Sequence, residues 1–208
     1  MTPFSLKLIL TFLVGGSWVV MSTVVTEQAG TKVGGVVAGL PSSSLIAFFF
    51  IGWTQSTKAA AQATTLGPLS MGVVALFNVV YALLYPRGFG LALAGSLGTW
   101  LLLSLGLLAT NIRSYGLSVL GLLLVVLATY YVLEHRLHIP SQGQQPMRYT
   151  PVQLVFRGLL GGTIIAGAVL AAKVGGPVVG GIMATFPNVM LSTLILNHLN
   201  HGRAFASA

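Results

Sequence analysis

Charged residues are so widely spaced along this chain that they divide it into long uncharged runs. The runs cover residues 8–26, 33–57, 59–86, 88–112, 114–133, 158–172 and 174–202. A helix needs about 20 mostly apolar residues to cross a bilayer, and backbone groups in lipid have to be hydrogen-bonded internally. The pattern therefore predicts seven membrane-spanning helices, near residues 4–26, 33–53, 66–85, 90–110, 115–134, 151–172 and 177–197.

One long polar segment, HRLHIPSQGQQPMRYTP at residues 135–151, interrupts this pattern. It predicts a first membrane unit with an extra helix over 1–134, a linker over 135–150 and a second, partial unit over 151–208. The N-terminal run resembles a signal peptide, but we expect a retained helix because the run continues to Thr26 and its motif recurs later. Arg157, near the start of the sixth span, is expected to extend its side chain to the membrane interface.

The two units contain related sequences. KVGGVVAGLP at residues 32–41 is similar to VVGGIMATFP at residues 178–187, and a shift of 146 places residues 15–62 on 161–208 without a gap. The shift matches Gly15, Gly16, Gly30, Gly34, Gly35 and Pro41 with Gly161, Gly162, Gly176, Gly180, Gly181 and Pro187. Five predicted spans lie between the two starts, and an odd number would invert the second copy in the membrane. Inverted repeats are typical of secondary transporters.

The composition restricts the class of protein. Hydrophobic residues make up 55% of the chain and charged residues 6%, whereas a soluble domain has roughly 25% charged residues. The scattered Lys and Arg residues favour lipid head groups as partners and give no cluster for nucleic acid. With two acids and no cysteine, the chain has no paired-carboxylate site for hydrolysis and no thiolate metal site. We predict an integral protein of a prokaryotic cytoplasmic membrane, and no enzyme.

Three stretches carry a resemblance to a known family: FLVGGSWVVMSTVV at 12–25, VGGVVAGLPSSSLIAFFFIG at 33–52, and a fourth helix beginning near Gly90. Over about residues 10–109 the chain resembles the GlpM-like family of small bacterial inner-membrane proteins. The resemblance implies a unit of about four spans and gives no chemistry. This chain departs from the family by a fifth span, Tyr115–Glu134, and by a partial second copy that ends at Ala208. Either the sequence is a fragment, or a second subunit supplies the missing helices.

Pro41 and Pro187 lie inside apolar runs, where a proline removes a backbone donor and frees a carbonyl. One interpretation is a broken helix that offers backbone groups to a substrate in mid-membrane. In that case the freed carbonyls would suit a cation or a hydrogen-bond donor. The other is a kinked helix packed closely against a neighbour. The residues expected at this close packing are Gly34, Gly35, Gly180 and Gly181.

Polar residues predicted within the spans complete the candidate site. The candidate substrate-binding residues are Pro41, Ser42, Ser43, Asn78, Pro187, Asn188 and Ser192. Hydroxyls usually bond to their own helix and amides also join helices to each other, so a purely structural role stays open. His135 and His138, like His198 and His201, have a spacing that can bind a metal, but helix-end side chains are the commoner case. We assign no metal and no cofactor.

The sequence as a whole predicts an all-α polytopic membrane protein that carries a small solute or an ion through inverted repeats. The alternative is a structural or assembly subunit of a membrane complex. The expected partners are membrane lipids and a homodimer mate or other membrane subunits. The distribution of Lys and Arg favours an external N-terminus and a cytoplasmic C-terminus.

Overall fold

A computed structural model describes residues 3–28, 41–110, 112, 114–136 and 149–201 of the chain. Its α-helices are α1 (Pro3–Gln28), α2 (Ser42–Thr54), α3 (Thr57–Thr64), α4 (Gly67–Leu84), α5 (Phe89–Ala109), α6 (Tyr115–Tyr131), α7 (Pro151–Gly175), α8 (Pro177–Ala184) and α9 (Asn188–His201). A 3-10 turn, Tyr85–Arg87, joins α4 to α5, and a π-helical turn, Val132–Arg136, follows α6. The described residues contain no strand.

Within the described residues, six helical stretches are long and apolar enough to cross a membrane. They are Pro3–Glu27, Gly67–Arg87, Phe89–Ala109, Tyr115–Glu134, Pro151–Gly175 and Pro177–Leu196. The prediction of an all-α polytopic membrane protein is confirmed, and the described residues contain six such stretches where seven were predicted. The second predicted span, 33–53, accounts for the difference. Its described part is the 13-residue helix α2, which is about 20 Å long and too short for a bilayer core; residues 33–40 lie outside the described part.

Large apolar side chains cover the outside of α5 and α6. The exposed leucines of these two helices include Leu101, Leu102, Leu105, Leu117, Leu120, Leu123, Leu124 and Leu127. A water-soluble monomer rarely exposes so large an apolar surface. Contact with lipid chains explains it.

The helices form two compact units, each built from separate stretches of chain. The first contains the described residues of Met1–Ala63 and Gly143–Thr193, and the second those of Thr64–Gln142 and Leu194–Ala208. In the second unit α4 packs against both α5 and α6, and the Ser118 hydroxyl accepts a hydrogen bond of 3.0 Å from the Leu69 amide. The sequence predicted units that are continuous along the chain, with boundaries at 134 and 150. Each unit of the structure instead combines stretches that are distant in the sequence.

Helices α1 and α7 form the most extensive helix pair of the first unit. A Cβ atom added at Gly16 would lie 2.7 Å from the Gly158 carbonyl oxygen, and one added at Gly162 would lie 2.6 Å from the carbonyl oxygen of Phe12. Real Cβ atoms essentially never come so close. The backbones therefore approach each other as only glycine allows.

The two glycine pairs make the same contacts in exchanged roles. Gly15 of α1 faces Ile165 of α7, and Gly161 of α7 faces Val19 of α1. Under the shift of 146, residue 15 corresponds to residue 161 and residue 19 to residue 165. The second contact therefore repeats the first with the two helices exchanged. The same exchange relates the contact of Gly16 with residue 158 to the contact of Gly162 with residue 12. Partner numbers fall along α7 as they rise along α1, so the two helices run antiparallel.

Contacts at the two ends of this helix pair agree with the antiparallel direction. The Lys173 ammonium lies 3.5 Å from the centre of the Phe4 ring, near the end of α7 and the start of α1. At the opposite end the Tyr149 amide donates a hydrogen bond of 3.4 Å to Glu27 Oε2. Helix α7 itself begins with a capping box, in which Thr150 and Gln153 bond each other's backbone amides.

Helices α2, α3 and α8 complete the first unit around α7. Phe50 and Ile51 of α2, together with Ala63 of α3, pack against Val169 and Ala172 of α7. Ahead of α8, Gly176 has a φ of +93°, a conformation that favours glycine. Pro177 then occupies the first position of α8, where its missing N–H costs nothing.

The reciprocal glycine contacts predict equal sensitivity to an added methyl group. Gly16→Ala and Gly162→Ala should each destabilise the protein by roughly 1–3 kcal/mol, because each methyl group would collide with a carbonyl of the other helix. Thermal unfolding in detergent, followed by circular dichroism, measures the effect. Gly106→Ala is the control, since nothing lies within 4 Å of its added Cβ. A melting temperature of both variants equal to that of Gly106→Ala would contradict this packing.

Candidate functional site

The last apolar span is a broken helix. Helix α8 ends at Ala184, residues 185–187 leave the helical path, and α9 starts at Asn188. Pro187 has no N–H to continue the α-helical ladder. Its side chain is buried, and Asn188 and Ser192 beside it are 4% and 2% exposed. The break therefore lies inside the protein and not at its surface.

Hydrogen bonds within the protein satisfy the backbone around this break. The amides of Thr185 and Phe186 donate to the carbonyls of Ile182 and Met183, each at 3.0 Å. The Ala184 carbonyl accepts a hydrogen bond of 2.8 Å from the hydroxyl of Ser44, which is buried. The carbonyls of Met183 and Ala184, which precede Pro187 by four and three residues, therefore already have donors and are not left for a cation. Ser44 of α2 satisfies one of them from across the first unit.

The predicted residues of the first copy surround this Ser44 contact. Pro41 is exposed, and Ser42 and Ser43 are half-buried at the start of α2. The Leu45 amide donates to the Pro41 carbonyl at 3.0 Å, so α2 begins directly after the proline. Residues 29–40 lie outside the described part of the chain. The path that leads into Pro41, with Gly34 and Gly35, is therefore not described.

The two glycines of the second copy lie against backbone. A Cβ added at Gly180 would be 2.7 Å from the Ala168 carbonyl oxygen of α7. One added at Gly181 would be 2.7 Å from the Ala63 carbonyl carbon, at the end of α3. Helix α8 is therefore held between α7 and the last residues of α3.

A cluster of polar side chains surrounds Arg157 in the same unit. We call Glu27, Tyr149, Arg157 and Thr193 the Arg157 cluster. Arg157 Nη1 donates hydrogen bonds to Thr193 Oγ1 at 2.9 Å and to the Tyr149 hydroxyl at 3.2 Å. The guanidinium carbon lies 4.8 Å from the centre of the Tyr149 ring, within the range of a cation–π contact. Thr193 belongs to α9, so the cluster joins the start of α7 to the helix beyond the break.

Arg157 is 4% exposed, and its Nε atom is buried without a hydrogen-bond partner. The side chain therefore lies within the protein and reaches towards Tyr149, which precedes α7. The residue lies four positions before Gly161, on the face of α7 that packs against α1. This periodicity was the available signal: a side chain on the glycine face of a helix points into the protein, whatever its charge.

The structure brings some of the predicted site residues together and leaves others apart. Pro187, Asn188 and Ser192 lie together with the serines of α2 in the first unit, whereas Asn78 belongs to the second unit. The Ser192 hydroxyl donates to the Val189 carbonyl at 3.0 Å, the common arrangement for a helical serine. The Asn188 side chain has no hydrogen bond to any described residue, although it is buried.

Among the histidines, only His198 has a described side chain. Its ring stacks on Phe89 in the second unit, with ring centres 3.9 Å apart and 1° between the planes. The structure describes no side chain for His135 or His201, and His138 lies outside its described part. Within the described residues, no group of three or more His, Cys, Asp or Glu side chains could hold a metal ion.

A shallow groove of about 320 Å³ lies on α1, lined by Leu13, Val14, Ser17, Trp18 and Met21. Its lining is mostly apolar, and it includes none of the candidate substrate-binding residues. Such a surface is suited to lipid chains rather than to a polar solute.

Comparison with known proteins gives one family. The model of the family described as "Protein of unknown function (DUF3147)" matches residues 8–113 and 154–206. The second matched segment begins 146 residues after the first. The match supplies no evidence for the GlpM name, so that particular resemblance stays a prediction. No curated protein and no solved structure matches the chain.

The hydrogen bond at the break predicts different effects for two adjacent serines. Ser44→Ala leaves the buried Ala184 carbonyl without its donor and should destabilise the protein by about 1–3 kcal/mol. Ser43→Ala is the matched control, because Ser43 is half-buried and has no hydrogen bond to a described residue. Thermal unfolding in detergent compares the two variants. Equal melting temperatures would show that the Ser44 hydroxyl contributes nothing to the break.

Proposed function

This chain belongs to the DUF3147 family of proteins of unknown function, and we propose that it carries a small solute or an ion across the membrane through an inverted repeat. The observation that carries the proposal is the break between α8 and α9, with Asn188 buried beside it. Helices broken within the membrane are the usual binding elements of secondary transporters. The side-chain amide of Asn188, which makes no hydrogen bond to a described residue, offers both a donor and acceptors to a polar solute.

The reciprocal crossing of α1 and α7 supports the inverted repeat. Gly15 and Gly16 exchange roles with Gly161 and Gly162 at a constant offset of 146, and the helices run antiparallel. Two equivalent helices that cross antiparallel with equivalent contacts are related by an approximate two-fold axis perpendicular to them. For membrane-spanning helices, that axis lies in the membrane plane. The two family matches, at 8–113 and 154–206, have the same offset between their starts.

The proposed binding site lies where the two copies meet. Ser44 of the first copy bonds the last carbonyl of α8 in the second, so any movement of α2 relative to α8 would disturb the break. The proposed lining residues are Ser42, Ser43, Asn188 and Ser192, which stand next to this contact or to the break in the sequence. The proposal also includes a prokaryotic cytoplasmic membrane, and contacts with lipids and with a second copy or another membrane subunit.

We keep a structural or assembly subunit as the alternative, because the leucine-covered helices α5 and α6 can pack against other membrane proteins as well as against lipid. The two functions differ in one measurable property. A transporter moves solute by itself in a plain lipid bilayer. An assembly subunit leaves the bilayer as impermeable as it was.

Reconstitution into liposomes tests transport. We expect at least one solute from a panel of glycerol, sodium chloride, potassium chloride and potassium phosphate to enter faster than into protein-free liposomes, measured by stopped-flow light scattering. Asn188→Leu keeps the side-chain size but removes the amide. It should slow that flux by about tenfold or more, since a buried hydrogen bond to substrate has this value in rate or affinity.

Thr163→Val is the matched control, because Thr163 is exposed on α7 and its hydroxyl donates to the Leu159 carbonyl of its own helix. Its flux should equal that of the wild type. If no solute of the panel enters faster than into empty liposomes, the transport proposal fails and the structural alternative takes its place.

A further inference from the structure

Arg157 differs from every other charged residue of the described chain, because it is buried. It is the seventh residue of α7, about 9 Å along the helix axis from its start. A cation enclosed in a membrane protein is costly unless a negative charge or several hydrogen-bond acceptors compensate it. The surroundings of this guanidinium therefore indicate what it is built to bind.

The described neighbours of Arg157 supply too few acceptors and no negative charge. A guanidinium has five N–H donors. The two hydrogen bonds of Arg157 both come from Nη1 and end on the neutral hydroxyls of Thr193 and Tyr149. Nε is buried without a partner. No described carboxylate forms an ion pair with the guanidinium; the Glu27 carboxylate accepts instead from the Tyr149 amide.

The other groups of the Arg157 cluster suit an anion as well. The hydroxyls of Thr193 and Tyr149 accept from Arg157, and the Thr193 hydroxyl also has a proton that it can donate. A planar guanidinium with two hydroxyls beside it matches an oxyanion, which takes paired N–H donors in parallel. One positive charge is best neutralised by one negative charge. A singly charged phosphate group supplies both the paired oxygen atoms and the single negative charge.

We propose that the Arg157 cluster binds a singly charged phosphate group, either inorganic phosphate or the phosphodiester of an anionic lipid. The inference rests on the proposed function in one respect, since α9, which carries Thr193, begins at the transport site. Binding itself requires no transport. Both sources present the same kind of oxygen atoms to Arg157, which lies near the end of the span at which α7 begins.

Binding to the purified full-length protein tests the proposal. The protein is prepared in a neutral detergent without phosphate or sulfate, and bound lipid is removed by extended washing. Equilibrium dialysis with radiolabelled inorganic phosphate, and native mass spectrometry with added phosphatidylglycerol, then measure the two sources separately. We expect saturable binding of at least one of them, close to one per chain.

Substitutions assign the binding to the cluster. Arg157→Gln should weaken binding by about tenfold or more, the usual effect of losing a hydrogen-bonded charge. Arg157→Lys keeps the charge but loses the planar pair of donors, so its affinity should lie between those of the wild type and Arg157→Gln. Arg87→Gln removes the same charge from an exposed position and should bind like the wild type. Circular dichroism checks that each variant is folded.

The outcomes separate this inference from the proposed function. Phosphate binding without solute flux supports the Arg157 cluster and removes the transport proposal. Flux of a neutral solute without binding of either phosphate source overturns the inference and leaves transport standing. Equal affinity of the wild type and a folded Arg157→Gln variant also overturns it. If Arg157→Gln does not fold, the comparison of the wild type with Arg157→Lys takes its place. Equal phosphate affinity of these two proteins would overturn the inference that the paired N–H donors of the guanidinium bind the ligand.

Discussion

The first unit depends on the close approach of two helix backbones, α1 and α7, at their glycine pairs. In a membrane there is little hydrophobic force between helices, so packing at short distance replaces it. Gly16 and Gly162 allow each helix to touch a carbonyl of the other. Because α7 also carries the residues that pack against α2, α3 and α8, its position on α1 determines where the break after α8 lies.

The break and the Arg157 cluster place two kinds of polar group in one unit. Around the break, the backbone carbonyls already have donors, including the Ser44 hydroxyl. Around Arg157 the balance is reversed, because donors outnumber the described acceptors. A solute in contact with both regions would accept hydrogen bonds from Arg157 through its own acceptor atoms. At Asn188 it would present a neutral hydrogen-bonding group. This arrangement favours an anion over the cation that the prolines alone suggest.

The sequence was sufficient for the class of fold and for most of its helices. Charge spacing alone located the six spans to within a few residues, since a bilayer imposes one length on every crossing. It differed at the second span, of which the described part is the 13-residue helix α2 that begins after Pro41. The glycines at 15, 16, 161 and 162 could be found because a shift by 146 aligns them, but a shift says nothing about which helices touch.

The candidate site was harder to predict because burial depends on the face of a helix and not on depth alone. Asn188 was identified as an amide that needs a protein environment, and it is buried. Arg157 was assigned to the interface from its position in the span, whereas its helix face directs it inward. The bond from Ser44 to Ala184 joins residues 140 apart, and no local pattern indicates which of three consecutive serines makes it.

The offset between the paired glycines has a consequence for how the protein is made. Helix α1 leaves the ribosome 146 residues before the part of α7 that it contacts, which at cellular rates of synthesis is roughly 7–30 s. During that interval its glycine face has no native partner in the membrane. The helices from Gly67 to Glu134 are synthesised in the meantime and can pair with one another locally. The contact between α1 and α7 can therefore form only after those helices have been synthesised.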